Sequence, residues 1–323
     1  MKTLEAVRLE LPRLSLTIRS QSPRLLRWLE ARLPHGYGHS GGREWTMQLA
    51  EWPVGVGKAC GLLTEHNLGS GPCYYERPRF RSRIDGDRQH FIEVDFALAT
   101  VRASLGRGYL DSPEDFFSSF FRSVLRGFVF PLTGLRALHG ALVAKNGRGV
   151  LLYGPGGIGK TTTALRMVEA GWQLLADDSP IFFLDGDKPM GVASLQVPLI
   201  TRHALGLLPW CGRHLRDGPD FYGKLPLDLP RPRQAVEVAH LVRLLPEDGP
   251  AGLAPRPTSE TLDELLRESM LLFRKIPPQP ELDQASRFVF SLLTNLVAQA
   301  QSWGLRYDLD RGEQARTLLE RLA

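Results

Sequence analysis

The most constraining feature of the sequence is a glycine-rich turn between an apolar strand and a helix. Residues 150–170 read VLLYGPGGIGKTTTALRMVEA, and Gly154 to Thr161 satisfy every fixed position of the pattern GxxxxGK[ST]. Glycines let successive backbone N–H groups converge on phosphate oxygens, and the start of a helix adds positive partial charge. A chance glycine turn is the alternative, but the strand before it and the helix after it are what a phosphate-binding loop requires.

The same motif predicts which residues contact a nucleotide. The turn expected to surround the phosphates consists of Gly154, Pro155, Gly156, Gly157, Ile158 and Gly159. We expect the Lys160 ammonium to reach the β and γ phosphates and the Thr161 hydroxyl to bind Mg²⁺. Thr162 completes the predicted nucleotide contacts. The sequence therefore predicts a site for ATP and Mg²⁺, and the motif does not distinguish ATP from GTP.

Two adjacent aspartates follow the strand WQLLA, and Asp177 lies seventeen positions after Lys160. This spacing accommodates a helix, a turn and a returning strand, so both carboxylates should lie at the edge where open α/β sheets bind ligands. One carboxylate there can hold Mg²⁺, whereas two so close together need a cation or a shared proton. We interpret the pair as one metal ligand and one general base, without assigning the two roles at this point. The alternative is an Asp-Asp-Ser turn without a chemical role.

The first hundred residues mix helix and strand patterns. The spacing predicts a helix over Pro23–Leu33, a short strand over Thr46–Trp52, and a strand in which apolar residues alternate from Ile92 to Leu98. Asp85-Gly86 is a predicted hairpin turn before that strand. We place a domain boundary near residue 105. It divides the chain into an N-terminal α+β region, residues 1–105, and a domain over residues 106–323.

Strands and helices alternate in the second region, which indicates an α/β sheet covered by helices. We predict a helix that begins after Ser112 and is ended by Pro131, and a turn at Asn146-Gly147. Residues 206–258 are rich in Pro, Gly and Arg and are predicted to be loops. One apolar stripe at helical spacing is predicted to be core packing: Leu282, Ala285, Phe288, Val289, Leu292, Leu293 and Leu296.

Composition restricts the class of protein and of partner. The chain has 323 residues, 43% of them hydrophobic, which is enough for a substantial core. The net charge of +5 favours anionic ligands but indicates neither nucleic acid nor membrane as the main partner. Three widely separated cysteines form no metal or disulfide pattern. Because no signal-peptide core and no apolar run of membrane length is apparent, we expect a cytoplasmic protein. The sequence leaves a homo-oligomer open.

Three segments together resemble the HPr kinase/phosphorylase family and its HPr-kinase-related members: residues 138–143, 147–165 and 171–183. The resemblance implies a P-loop fold shared with phosphoenolpyruvate carboxykinases, with a catalytic domain over the second region. It implies that Asp177 takes the proton from an attacking hydroxyl and that Asp178 and Thr161 bind Mg²⁺. It also places His139 near the active site, although a buried structural histidine before a strand is an alternative.

The sequence departs from the family after the aspartates. Typical HPr kinases carry a Glu-Ile-Arg-Gly signature, whereas residues 193–206 read ASLQVPLITRHALG. The resemblance therefore extends neither to HPr as the substrate nor to reverse phosphorolysis, and is closer to related kinases beside peptide-modification systems, including lasso-peptide clusters. The basic loop over residues 212–230 offers four candidates for steadying a transferring phosphoryl group: Arg213, His214, Arg216 and, first among them, Lys224. The alternative is a solvated basic loop.

These observations favour an ATP- and Mg²⁺-dependent kinase that phosphorylates a serine or threonine hydroxyl of a protein or peptide. Two other functions use the same residues. One is a small-molecule kinase, and the other is a nucleotide-binding regulatory or assembly module that transfers no phosphoryl group. Carboxykinase-like chemistry is disfavoured because the sequence shows no second set of metal ligands. An open groove would favour a peptide acceptor, and a closed polar pocket a metabolite.

Overall fold

The computed structural model describes residues 6–33, 42–51, 66–67, 72–76, 79–84, 90–216, 223–230, 232–246, 248–270, 280–308 and 312–322. Contacts between Cα atoms group the chain into two compact units, Met1–Leu135 with Met270–Phe288 and Arg136–Ser269 with Val289–Ala323. By this grouping, the segment directly after residue 105 belongs to the first unit. The domain boundary predicted near residue 105 concerns independent folding and stays a prediction.

An eight-stranded sheet forms the first unit within the described residues. Its strands are β1 (Ala6–Leu11), β2 (Leu14–Ser20), β3 (Arg43–Glu51), β4 (His66–Asn67), β5 (Pro72–Glu76), β6 (Arg79–Ile84), β7 (His90–Asp95) and β8 (Thr100–Leu105). They pair in the order β1-β2-β3-β8-β7-β6-β5-β4. The β2–β3 and β3–β8 pairs are parallel, and the others are antiparallel. This sheet confirms the mixed α+β character that the sequence predicts for the N-terminal region.

Helix α1 (Pro23–Arg32) confirms the first predicted helix, and the Ser22 side chain caps it by accepting a hydrogen bond from Leu25 N. The strand predicted to reach Leu98 ends earlier, at Asp95. There the Asp95 carboxylate accepts a hydrogen bond from Leu98 N at 2.9 Å, which turns the chain and leaves Leu98 63% exposed. The predicted turn at Asp85-Gly86 lies outside the described residues, although the strands on either side of it, β6 and β7, pair antiparallel.

A helical segment with two π-helical turns, Phe116–Phe121 and Leu125–Val129, follows β8. Its α-helical parts are α2 (Arg107–Asp111), α3 (Pro113–Asp115), α4 (Arg122–Val124) and α5 (Phe130–Leu132). The predicted helix start is confirmed, because α3 begins at Pro113, directly after Ser112, although the Ser112 side chain makes no capping hydrogen bond to the backbone. The helical segment ends at Leu132, one residue after Pro131, close to the predicted end.

In the described part of the second unit, the strands form a nine-stranded sheet and a separate two-stranded pair. Its strands are β9 (Arg136–Ala137), β10 (Gly140–Lys145), β11 (Arg148–Tyr153), β12 (Gln173–Ala176), β13 (Ile181–Asp185), β14 (Lys188–Val192), β15 (Leu199–Thr201), β16 (Lys224–Pro226), β17 (Val236–Leu244), β18 (Gly252–Pro255) and β19 (Gln301–Arg306). The main order is β12-β10-β11-β17-β14-β13-β9, with β19 beside both β17 and β18. Pairs β11–β17 and β17–β19 are parallel.

The remaining helices are α6 (Lys160–Glu169), α7 (Arg202–Leu207), a 3₁₀ helix (Pro209–His214), α8 (Thr258–Met270), α9 (Pro280–Gln299) and α10 (Gly312–Glu320). Helix α6 packs on the sheet, and its buried apolar residues join the same core cluster as Val143 and Leu152. The described part of the α9 stripe is buried, apart from the half-buried Phe288. Together with the sheet, these helices confirm the predicted α/β class. Within the described ranges, no helix is both long and apolar enough to cross a bilayer.

The loop predicted over residues 206–258 is wrong at its centre, because the nine-residue strand β17 lies there. Its residues VEVAHLVRL are mostly buried, and the strand pairs with β11, β14 and β19. Pro- and Gly-rich residues on both sides obscured this pattern. The strand is defined by pairing with residues that are distant in sequence, which local composition does not report.

Shortening a buried side chain of β17 should therefore destabilise the protein as other core substitutions do. Leu241 is fully buried, and Leu241→Ala should lower the free energy of unfolding by about 2–5 kcal/mol through lost packing and a cavity. Urea denaturation followed by tryptophan fluorescence measures this change. Glu237→Gln, on an exposed position of the same strand, is the control and should stay within about 0.5 kcal/mol of the parent. Equal losses in both variants would contradict the central position of β17.

Candidate functional site

The glycine-rich turn connects β11 to α6, and three of its glycines have backbone angles that other residues resist. Gly154 has φ of 140°, and a Cβ atom there would lie 3.1 Å from the Leu244 carbonyl oxygen of the neighbouring β17. Gly157 has φ of 80°, and Gly159, at the N-cap of α6, has φ of 96°. These positions therefore favour glycine, and the turn brings its backbone to the N-terminus of a ten-residue helix.

Lys160 folds back over this turn. Its ammonium group donates hydrogen bonds to the carbonyl oxygens of Gly154, at 2.8 Å, and Pro155, at 2.9 Å. Burial lowers the pKa of Lys160 from its ordinary value, and the nearby Lys224 lowers it further. One turn along α6, the Thr163 hydroxyl donates to Gly159 O at 2.9 Å and lies 2.5 Å from the Tyr307 hydroxyl. The start of α6 is thus fixed by hydrogen bonds on both sides.

Asp177 lies at the end of β12 and is only 4% exposed. One carboxylate oxygen, Oδ2, accepts a hydrogen bond from Leu199 N at 2.9 Å, and the other, Oδ1, is buried without a hydrogen-bond partner among the described residues. Burial is the main cause that raises the pKa of Asp177 to about 7, and the negative charge of Asp178 adds to it. A carboxyl group with this pKa can take up a proton near neutral pH.

Asp178 is more open than its neighbour, with a side chain that is 31% exposed. Its Oδ1 lies 3.2 Å from His139 Nδ1 and accepts a hydrogen bond from the Ser179 hydroxyl at 2.9 Å. Ser179 has φ of 55°, so the turn after the two aspartates adopts the left-handed conformation that side chains disfavour. The His139 side chain is 45% exposed, so it is not the buried structural histidine that the sequence left as an alternative.

A cleft of about 390 Å³ brings most of the predicted residues together. The predicted residues on its wall are His139, Gly156, Gly157, Gly159, Lys160, Thr161, Thr162, Asp177, Asp178 and Lys224. Gly154 and Pro155 contribute through their carbonyl contacts with Lys160, whereas Ile158 packs against the core. Of the four basic loop candidates, the described wall includes only Lys224.

The rest of the cleft lining comes from residues to which the sequence gave no role. They are Gln196, Leu199, Thr201, His203, Ala204 and Leu207. Strands β15 and β16 pair so that Thr201 lies opposite Lys224, and Thr201 also caps α7 by accepting a hydrogen bond from Ala204 N. These elements are three to six residues long, which is too short for a periodic pattern to reveal them.

The donor set in the cleft suits a nucleotide with Mg²⁺. Magnesium prefers oxygen ligands and in nucleotide sites takes one or two carboxylates together with phosphates and water. Asp178 offers an accessible carboxylate, and Thr161 offers a hydroxyl on the same cleft wall. The turn before α6 offers backbone N–H groups and the Lys160 ammonium for phosphate. These features define an α/β unit with a phosphate-binding-loop motif beside paired carboxylates.

Comparison with known proteins finds one matching family model and several relatives that are similar over part of the chain. A family model described as SynChlorMet cassette protein ScmC matches residues 130–189. HPr kinase/phosphorylase from Lactobacillus acidophilus is 38% identical over 115 residues, which cover 35% of this chain and 34% of that protein. The protein of the same name from Lachnoclostridium phytofermentans is 37% identical over 91 residues, 28% of each chain. The one from Bacillus cereus is 47% identical over 88 residues, 27% of this chain and 26% of that one.

The alignments span about a quarter to a third of these curated relatives. Among solved structures, the Hpr(Ser) kinase/phosphatase from Coxiella burnetii aligns with a TM-score of 0.29 and 14% identity, over 58% of this chain and 91% of that one. The likeness therefore rests on the sequence alignments, which cover about a quarter to a third of this chain. Over that part the chain is HPr-kinase-like, which confirms the resemblance predicted from the sequence.

The buried carboxyl group of Asp177 should make stability depend on pH. The folded chain holds this proton up to about pH 7, whereas an unfolded aspartate releases it near its ordinary value of 3.8. The free energy of unfolding should therefore fall with rising pH between about 4 and 7, by up to ~1.4 kcal/mol per pH unit, and level off above pH 7. Asp177→Asn should lack this component. Urea denaturation in EDTA, compared with the parent at each pH, measures it.

The control for this prediction is Asp185→Asn, at the exposed end of β13. Its stability should follow the parent at every pH. If Asp177→Asn also follows the parent from pH 4 to 8, the Asp177 carboxyl group titrates normally and is not held in a desolvated position.

Proposed function

We propose that the chain is a Mg²⁺-dependent phosphotransferase that moves the γ-phosphoryl group of ATP to a serine or threonine hydroxyl of a protein or peptide. The observation that carries the proposal is the position of Asp177. A buried carboxyl group with a pKa of about 7 and one unbonded oxygen lies in the same cleft as the glycine-rich turn and Lys160. Nucleotide binding alone does not require such a group, whereas activation of a hydroxyl does.

The phosphate-binding part of the proposal rests on the turn from Gly154 to Gly159 and on Lys160. Backbone N–H groups of the turn and the first turn of α6 bind phosphate oxygens. Lys160 exchanges its contacts with the Gly154 and Pro155 carbonyl oxygens for the β and γ phosphates. Thr161 and Asp178 hold Mg²⁺, which when bound offsets the charge of the phosphates.

Asp177 is the proposed general base. Leu199 N holds one of its oxygens, so the other, Oδ1, is the atom that accepts the proton of an acceptor hydroxyl as that oxygen attacks phosphorus. Base catalysis is most efficient when the pKa lies near the working pH, and burial brings the pKa of Asp177 there. His139 is proposed to orient the carboxylate of Asp178, which lies 3.2 Å from its Nδ1 atom.

Lys224 is the proposed stabiliser of the transferring group. Its side chain is exposed on the cleft wall, and its positive charge acts on both Lys160 and Asp177. An ammonium group in this position can offset charge on the phosphoryl oxygens as the bond to ADP breaks.

The alignments with proteins named HPr kinase/phosphorylase support kinase chemistry but cover only 28% and 35% of this chain. We place the acceptor in peptide modification because residues 193–206 lack the Glu-Ile-Arg-Gly sequence. To identify the acceptor, the chain is incubated with γ-labelled ATP, Mg²⁺ and a lysate or peptides encoded beside its gene. Label in a protein or peptide supports the proposal, and label in a metabolite indicates a small-molecule kinase. Label only in inorganic phosphate indicates a regulatory nucleotide-binding module.

Removal of the Lys160 charge should weaken nucleotide binding. Lys160→Ala should raise the Kd for Mg²⁺-ATP by about 10-fold or more, because charged hydrogen bonds to phosphate are among the strong ones. Calorimetry measures the affinity. Lys188→Ala is a matched control because Lys188 is 66% exposed on β14 and pairs only with Glu237 in the described contacts. Equal affinity of Lys160→Ala and the control would contradict the phosphate-binding role of the turn.

The two aspartates should differ in what they support. Asp177→Asn keeps the side-chain shape and should still bind Mg²⁺-ATP, but transfer should fall by about 10²–10⁴-fold because the base is lost. Asp178→Asn should instead raise the Mg²⁺ concentration needed for half-maximal rate, because an amide is a poor Mg²⁺ ligand. A Mg²⁺ titration at fixed ATP compares them. If both variants need the same Mg²⁺ concentration, the pair is a shared metal site without a separate base.

A further inference from the structure

Helix α8 carries three glutamates at intervals of four residues: Glu260, Glu264 and Glu268. This spacing puts them on one face of the helix. The first two are paired with arginines: Glu260 with Arg256 at 2.9 Å, and Glu264 with both Arg256, at 3.2 Å, and Arg243. Glu268 is exposed and, within the described part of the chain, has no ion pair at contact distance. Among these three glutamates, it is the one without an arginine at ion-pair distance in the described part of the chain.

Contacts on both sides of Glu268 fix its position. One turn before it, Glu264 pairs with Arg243, which lies opposite Tyr153 in the β11–β17 register, one residue before the glycine-rich turn. One residue after it, Ser269 O accepts a hydrogen bond from Arg136, which is buried in β9, three residues before His139. Glu268 is therefore held between the base of the turn and the strand that leads to His139.

The charges around Glu268 agree with this placement. Although the residue as a whole is exposed, partial desolvation of its carboxyl group raises the pKa of Glu268, and the positive charges of His139, Lys160 and Arg243 lower it. Reciprocally, burial lowers the pKa of Lys160, and the negative charge of Glu268, more than that of Asp178, opposes this fall. Glu268 and Lys160 thus attract each other, and Lys160 is the group proposed to bind the β and γ phosphates.

We propose that Glu268 is a competing anion at the phosphate cradle, which lowers nucleotide affinity and speeds nucleotide release. The inference rests on the proposed function, because it concerns the same nucleotide. Phosphates that bind Lys160 must displace the attraction between Lys160 and Glu268 and are themselves repelled by the carboxylate. A carboxylate whose charge acts on a phosphate-binding lysine has the opposite effect to that of the surrounding cations, and its removal should tighten binding.

The test compares nucleotide affinity in Glu268→Gln and the parent at pH 8. Displacement of a fluorescent nucleotide by ADP and by Mg²⁺-ATP gives the Kd values, and stopped-flow dissociation gives the release rate. We expect Kd to fall by about 3- to 10-fold, mainly through slower release, and the difference to shrink in 0.5 M salt. Glu268→Ala should behave in the same way.

Glu260→Gln is the matched control. It removes the same charge from the same face of α8. Glu260 lies two turns before Glu268, roughly 12 Å along the helix, which is more than a Debye length. Its nucleotide affinity should equal that of the parent. A damaged fold does not tighten binding, so tighter binding in both Glu268 variants separates the charge effect from a structural one.

Three results overturn the inference. Equal or weaker nucleotide affinity in Glu268→Gln, with binding by the parent intact, removes the role of Glu268 and leaves the proposed function standing. The same tightening in Glu260→Gln shows a general charge effect instead of a local one. Absence of nucleotide binding by the parent overturns the proposed function and the inference together.

Discussion

Strands β11 and β17 run parallel, so both deliver their C-terminal ends at the same edge of the second unit's sheet. The glycine-rich turn leaves that edge from β11, and the Leu244 carbonyl oxygen of β17 lies only 3.1 Å from where a Cβ of Gly154 would be. Arg243, at the same end of β17, pairs with Glu264 and so holds α8 beside the turn. One parallel pairing thus positions the turn, the lysine that follows it and the helix with the unpaired glutamate.

The paired aspartates are costly to hold at this edge. Burial of the Asp177 carboxyl raises its pKa to about 7, and one of its oxygens lacks a hydrogen bond in the described structure. Ser179, directly after the pair, has a left-handed backbone that costs about 1–2 kcal/mol for a residue other than glycine. Such costs cluster at functional sites because the fold as a whole supplies the stability that offsets them. The cost of holding the two aspartates therefore favours a role in the chemistry of the site over a simple Asp-Asp-Ser turn.

The two sides of the cleft are linked through Asp177. Its Oδ2 accepts a hydrogen bond from Leu199 N, which fixes the start of β15. Strand β15 pairs with β16, so that Lys224 of β16 lies opposite Thr201 of β15. The proposed base and the proposed stabiliser of the phosphoryl group are thereby held by one short pair of strands. A change in the position of that pair would move both groups relative to the glycine-rich turn.

The sequence by itself determined the α/β class, the glycine-rich turn, the helix after it and the adjacent aspartates. Each depends on contiguous residues whose spacing or backbone requirement is local, such as the left-handed angle of Gly159. Tertiary structure alone decided that β17 is a central strand, that β15 and α7 line the cleft, and that the C-terminal end of α8, which carries Glu268, is held by Arg243 and Arg136. Those residues come together through strand pairing and ion pairs between positions up to about 130 apart in sequence, such as Arg136 and Ser269. Pairing over such distances depends on burial and charge in the folded chain, which no local pattern of residues encodes.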